Sequence, residues 1–342
     1  MKYNYILIHF GDGIYKYYYK DVNQLTYAYF DYGYPYNKQL QILMKLHLSQ
    51  KINRILDLPN KEFWIKLHIK KLSKKYDNMK QKYSGLCFIL FSDCLSMEKY
   101  GLNKWIRYYF PEAKIIYYFQ DIIEKDLLKL DLVNGKRNMV DLIMTYDKKD
   151  AEMYGLYYHN APYSKLSKLK YKNDTIKYDV VFVGLIKDRF KEIKNAFDIL
   201  SQKGLKCFFY LVDNHKDKKS NTSHNPDFII TDKNISYYEY LNLINQSKCI
   251  LEIIQKGSSG NTSRVNEAIE FDKYLLTNNR ELLSNQLYDS KYMFVYKSLD
   301  SFDPDRINGK VSYPNKELLS PHSFLQDIEE ELNKLYDEKT NK

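Results

Sequence analysis

The stretch Gly257 to Glu270, GSSGNTSRVNEAIE, lies between two apolar runs, CILEII (249–254) and YLLTNN (274–279). Only 12 glycines occur in 342 residues, and two of them are here. An apolar run, a Gly/Ser/Asn loop, a helix start and a second apolar run make a strand–helix–strand unit, which requires parallel strands and a crossover. The loop follows the carboxyl end of a strand and opens the helix. The first turn of such a helix presents unpaired N–H groups and a positive dipole end, which suits an anion. Arg264 adds a guanidinium fork, and Glu267 follows three residues later on a neighbouring face, with Val265, Ala268 and Ile269 as the core stripe.

Working outward, the same alternation recurs. Strands are expected at 3–10, 86–91, 114–119 and 140–145, with helices at 39–50, 62–76 and 98–109 and a short helix from Asp147. Leu40, Leu43, Met44 and His47 give the first helix its stripe. A polar, basic stretch begins at Asn160. Beyond it the pattern restarts: strands at 179–183, 205–212, 228–231, 249–254 and 274–277, and helices at 190–200, 237–246, 262–271 and 323–336. Gly204 is expected just past a helix end. The expectation is α/β, with two Rossmann-like domains facing each other across a cleft: residues 1–165, a linker at 166–177, and residues 178–342, the last helix free to pack back on the first domain.

Composition narrows the function classes. No apolar run is long enough to span a bilayer, and MKYNYILIHF lacks a signal-peptide pattern, so a cytoplasmic location is expected. The four cysteines show no metal spacing and read as buried thiols. The net charge of +10 favours anionic partners. No helix-turn-helix, RRM or KH signature accompanies it, so no nucleic-acid partner is expected. Neither GxGxxG nor GxxxxGK[ST] occurs. The pair Asp303 and Asp305, split by a proline, reads as a turn rather than a metal site.

Two loops carry candidate anion-binding chemistry. In VVFVGLIKDRF, Gly184 is expected to end a strand, and Lys187 and Arg189 follow it. In the opening stretch a diphosphate held by backbone amides and Arg264, with Glu267 accepting ribose hydroxyls, would use every polar feature.

YDVVFVGLIKDRF, AKIIYYFQD, VDLIMTYDKKDAEMYGL and CILEIIQKGSSGNTSRVNEAIEFDKYLLTNN resemble, in this order, the GT-B glycosyltransferases that build bacterial surface polysaccharides. The resemblance covers about Leu86 to Asn279. Its most specific part matches Leu251-Glu252, Gly260, Thr262, Arg264, Glu267, Lys273 and Leu275 to Asn279. Ser258, Ser263 and Tyr274 depart from the pattern and bear on donor or acceptor detail. The resemblance implies a nucleotide-sugar donor in the second domain, with Gly184, Lys187, Arg189, Glu252, Gly260, Thr262, Arg264 and Glu267 as its binding residues. It implies no metal or cofactor, and a glycan, lipid-linked or protein-linked acceptor in the first domain. UDP is the expected nucleotide.

An inverting reaction would need a base at a strand's carboxyl end in the first domain. Asp121, Asp93 and Asp12 qualify by position, in that order; a retaining reaction needs none. His9 and Asp12 share the loop after the first strand, a frequent acceptor-side position in such enzymes. The segment Trp64–Lys82 alternates lysines with apolar residues, and a peripheral contact with an anionic inner membrane face is expected there. The competing readings are a polyol-phosphate transferase of the same fold and a non-catalytic nucleotide or nucleic-acid binder.

Overall fold

The computed structural model describes residues 2–10, 13–33, 37–53, 55–56, 58–77, 83–135, 137–169, 171, 175–213, 225–255 and 260–340. Two compact units emerge, Met1–Ser164 with Ser320–Lys342, and Lys165–Leu319.

The first unit is built on β1 (Tyr3–Ile8), β2 (Ala28–Asp31), β3 (Gly85–Phe91), β4 (Lys114–Phe119), β5 (Leu142–Thr145) and β6 (Tyr157–Tyr158). They pair in parallel in the order β2-β1-β3-β4-β5-β6. The connections hold α1 (Tyr15–Tyr18), α2 (Lys38–Leu48), α3 (Gln50–Asn53), α4 (Glu62–Asp77), α5 (Leu95–Glu98), α6 (Leu102–Tyr109), α7 (Leu127–Gly135) and α8 (Lys148–Tyr154). A parallel sheet covered on both faces buries both side-chain sets, so its strands read as continuous apolar runs. In GLCFILF every residue after Gly85 is buried. Ile6, Ile8, Phe88, Leu90, Tyr117 and Phe119 form one core face, packed against Ile65, Ile69, Leu72, Leu102 and Ile106.

Three sequence expectations change here. The single helix expected over 98–109 is two, because Gly101 takes φ +79° and Glu98 caps the second by accepting from Asn103 N at 2.8 Å. In α2 Met44 is fully buried, but Leu43 faces outward. The apolar side of α4 belongs to the core: Ile65, His68, Ile69, Leu72 and Tyr76 are buried, and Trp64 is partly buried with its Nε1 2.6 Å from His47 Nδ1. That side of the Trp64–Lys82 segment is therefore not offered to a membrane; residues 78–82 lie outside the described residues. Among the described residues no helix is long and apolar enough to cross a bilayer.

The second unit carries β7 (Tyr178–Leu185), β8 (Cys207–Val212), β9 (Phe228–Thr231), β10 (Ser247–Glu252), β11 (Tyr274–Thr277) and β12 (Met293–Val295), with α9 (Phe190–Gln202), α10 (Tyr237–Asn245) and α11 (Ser263–Glu270). Their order is β12-β11-β10-β7-β8-β9, again all parallel. Gly204 takes φ +83° after α9, and Ser236 and Glu239 form a capping box on α10. Asp303 caps a short 3₁₀ turn by accepting from Asp305 N at 3.0 Å, as a turn residue should. The last helix, α12 (Pro321–Thr340), belongs to the first unit. Phe324 packs against Tyr118 and His159, Asp327 lies 2.8 Å from His159 Nε2, and Glu329 accepts from Lys2 N at 2.7 Å. All four cysteines are buried and free.

In each sheet the strand order reverses once, at β1/β3 in the first and β7/β10 in the second. Open parallel sheets leave a crevice outside the carboxyl ends of the strands at such a point, and ligands bind there.

Lys273 at the start of β11 is buried, donates to Asn245 O at 2.9 Å, and is pulled by that burial from 10.5 to about 8. Between these two values the folded chain gives up the proton before the unfolded chain does. Stability therefore rises with pH across that window, by at most about 3 kcal/mol. Lys273→Met is expected to melt higher than wild type at pH 8 and to lose this advantage progressively by pH 10. Parallel melting curves for the two proteins across that range would refute the assignment.

Candidate functional site

The β7/β10 switch point gathers most of the candidate donor residues. Gly184 is not the end of a strand: β7 continues through it to Leu185, and Gly184 pairs with Leu211. Its role is space. A Cβ at Gly184 would sit 2.8 Å from Arg264 Nη2. Arg264, on the first turn of α11, reaches back over β7, donates to Val183 O and lies 5.5 Å from the centre of the Phe182 ring.

Arg189 lies just before α9 and is 8% exposed. Its guanidinium donates to Ile253 O and, at 2.7 Å, to Leu185 O, tying the carboxyl ends of β10 and β7 together. Burial lowers its affinity for a proton, and the charge of Arg264 lowers it further, so the two guanidinium groups feel each other's repulsion. An anion at this edge would relieve it. Lys187, between β7 and α9, is exposed and takes φ +47°, a conformation costly for a side-chain-bearing residue and common at ligand loops.

The acidic candidates sit differently from expectation. Glu252 ends β10 fully buried, and its two carboxylate oxygens accept from the hydroxyls of Thr262 and Thr277. Thr262 also caps α11, accepting from Arg264 N at 3.2 Å. Glu252 therefore fixes the start of α11, and with it Arg264, and its charge supports Arg189 from behind. Glu267 is also fully buried. It accepts from Tyr237 at 2.7 Å and from Tyr240 at 2.5 Å, and burial holds its carboxyl above the usual range despite the nearby Arg264 charge. The hydroxyls it holds in this structure are phenols of α10, where the sequence had suggested ribose. Gly260 is buried, with its carbonyl 3.5 Å from Asn279 Nδ2. Residues 256–259, Gly257 and Ser258 included, lie outside the described residues.

The β1/β3 switch point of the first unit gathers a second group. His9 follows β1 and Asp93 follows β3, and His9 Nδ1 lies 2.9 Å from Asp93 Oδ1, a close but bent contact. The other Asp93 oxygen accepts from Phe10 N. Tyr15 stacks on the His9 ring at 4.2 Å between centroids. Gly13 lies beside the opposite ring nitrogen: a Cβ there would be 3.8 Å from His9 Nε2, an ordinary contact distance. Burial raises the Tyr15 hydroxyl well above its ordinary range, and the charges of Asp121 and Asp93 add to this. Asp121 is exposed after β4, with its backbone carbonyl 3.3 Å from the buried Lys129 Nζ. Asp12 lies outside the described residues.

The sequence ranked these aspartates without seeing that Asp93 is engaged with His9. The available signal was positional: both residues follow apolar strands, and the switch point makes those strands neighbours. Among the described residues no group of three or more His, Cys, Asp and Glu side chains comes together as metal ligands do.

No family model matches this chain, and no curated protein sequence does. Solved structures do. An alpha-glucosyltransferase in complex with UDP and a 13-mer DNA containing an HMU base aligns over 98% of this chain and 95% of that one, at 13% identity and a TM-score of 0.50. An α,α-trehalose-phosphate synthase (UDP-forming) from Burkholderia vietnamiensis aligns over 100% and 97%, at 7% identity and a TM-score of 0.49. The glycotransferase of kitacinnamycin aligns over 97% and 100%, at 9% identity and a TM-score of 0.41. At such identities the likeness concerns architecture. Together with two six-stranded parallel sheets, each flanked by helices, it gives the fold of this chain as GT-B.

Proposed function

We propose that this chain is a glycosyltransferase that moves a sugar from a nucleoside diphosphate sugar, with UDP as the nucleotide, to a hydroxyl of a glycan, glycolipid or glycoprotein. The observation that carries this reading is the Arg189–Arg264 pair, fixed at the carboxyl edge of the second sheet beside Gly184. In this reading Arg264, Arg189 and Lys187 neutralise the diphosphate as it leaves, and no metal is needed for that task. A preorganised positive site is worth most when charge develops on the leaving group, because its donors need no reorganisation. The alpha-glucosyltransferase complex, whose described contents include UDP, supports the choice of nucleotide.

The proton of the acceptor hydroxyl is assigned to His9. With Asp93 on Nδ1, the ring presents Nε2 as acceptor, and the Asp93 carboxylate stabilises the imidazolium that forms. Asp93 is then a positioning residue, and Asp121 and Asp12 are not required as bases. This assignment goes with inversion at the anomeric carbon. A second acceptor class has specific support: the DNA in that same complex and the +10 net charge of this chain make modified DNA worth testing. Steeply salt-dependent binding of duplex DNA would favour it.

Two outcomes test the reading. At a hundredfold excess over Kd, UDP is expected to stabilise wild type by about 2.7 kcal/mol, with EDTA present as without it, and to leave Arg264→Ala unmoved in a thermal-shift series with dTDP, GDP, CDP and CMP. If no nucleoside diphosphate raises the melting temperature, the donor assignment fails. With a working donor and acceptor, His9→Ala is expected to lose roughly 10²- to 10⁴-fold in kcat while UDP affinity stays the same. Asp93→Asn should lose less, and Asp121→Asn little. A product that retains the donor's anomeric configuration would remove His9 from the role of base.

A further inference from the structure

Tyr15 lies against the imidazole to which the proton of the proposed transfer is assigned. Its ring stacks on the His9 ring with 4.2 Å between centroids and 30° between planes. Phe91 meets the same imidazole nearly at right angles, at 6.1 Å. The Asp93 contact at Nδ1 is bent, so alone it sets the tilt of the imidazole loosely. A stacked ring and a perpendicular ring restrict that tilt.

The segment that carries Tyr15 is fastened at several points. α1 is a single turn, too short to hold itself. Ser164, fully buried, donates to Tyr18 O at 2.8 Å and accepts from Asp21 N at 2.9 Å. Tyr18 packs on Tyr163 at 5.2 Å, and the Tyr19 hydroxyl accepts from Gln120, just after β4, at 2.7 Å. Tyr15 itself packs on Phe91 at 5.1 Å.

The face of an aromatic ring is negative and attracts a cation within about 6 Å of its centre. Neutral imidazole gains little from such a face, and imidazolium gains more. The benefit therefore appears as the base takes its proton, which is where an interaction accelerates a reaction. The Tyr15 hydroxyl does not compete for that proton: burial, with the charges of Asp93 and Asp121 added, keeps it protonated. On the backbone side His9 N donates to Asp31 O at 3.0 Å, and the Asp31 carboxylate faces His68 at 3.0 Å.

Resting on the reading of His9 as base, we infer that Tyr15 is a positioning residue for the proton transfer: its ring face fixes the plane of the imidazole and stabilises the imidazolium. In the step it serves, the acceptor O–H bond breaks and the proton joins the Nε2 lone pair. The electron pair left on oxygen forms the bond to the anomeric carbon, and the diphosphate leaves with the pair of the broken C–O bond.

The test is an NMR titration of the His9 ring in the full chain without donor or acceptor, its resonance assigned by loss in His9→Gln. Wild type is compared with Tyr15→Phe and with a chain carrying pentafluorophenylalanine at position 15, which keeps the shape of a phenyl ring and reverses its quadrupole. Wild type and Tyr15→Phe are expected to titrate together, and the fluorinated protein about half a pH unit lower. With a working donor and acceptor, the acid edge of the kcat profile should move down with it, because neutral imidazole is the active form, and the plateau should fall about threefold. Coincident titrations of Tyr15→Phe and the fluorinated protein would overturn the inference. So would a Tyr15→Phe variant that titrates apart from wild type, since the hydroxyl rather than the ring face would then act. If the fluorinated protein titrates as expected but kcat survives His9→Ala, the reading of His9 as base fails, and the role of Tyr15 with it.

Discussion

Two like charges are held side by side at the edge of the second sheet, and much of that unit serves to keep them there. Arg189 and Arg264 donate to three backbone carbonyls towards the carboxyl ends of β7 and β10, at Val183, Leu185 and Ile253. Gly184 gives the Arg264 guanidinium its room. Glu252, clasped by Thr262 and Thr277, fixes the helix that carries Arg264. Arg189 is buried and Arg264 partly so, and the carboxylates of Glu252 and Glu267 act on them from within the unit. In the proposed function a diphosphate adds further negative charge beside the pair.

The first unit answers with different chemistry at the equivalent place. Its sheet reverses at β1/β3, and there the rim holds a histidine, an aspartate and a tyrosine rather than arginines. In the proposed transfer the arginine rim serves the leaving diphosphate, and the histidine rim serves the proton of the acceptor hydroxyl.

Much of this was legible in the sequence because burial on both faces writes parallel strands as unbroken apolar runs. The strands at 114–119, 228–231 and 274–277 could be bounded to the residue. Three edge strands escaped: YY and MFV are only two and three residues long, and AYFD lies among tyrosines and polar residues with no unbroken aliphatic run such as FIIT or YLLT. The helix expected over 98–109 failed at Gly101, whose left-handed backbone a pattern of apolar spacings does not register. At the site, Arg264 could be singled out from its loop, but its neighbour Arg189 could be only one basic residue among many. Their proximity follows from strand order. The same holds for His9 and Asp93, 84 positions apart. Glu252 was read as a donor-binding residue from the resemblance, and Glu267 from the resemblance and from its place three residues after Arg264. Two threonine and two tyrosine hydroxyls make their burial tolerable here, and no local pattern announces a partner 25 or 30 residues away.

The central claim is that the arginine pair recognises the second phosphate of a nucleoside diphosphate. Calorimetric titration of UDP and of UMP into wild type and Arg189→Ala, in buffer with EDTA, addresses it most directly. The account predicts that wild type binds UDP at least tenfold more tightly than UMP, and that this ratio falls towards one in the variant while UMP affinity is largely kept. Equal affinities for UDP and UMP in wild type, or a ratio the substitution leaves unchanged, would contradict it.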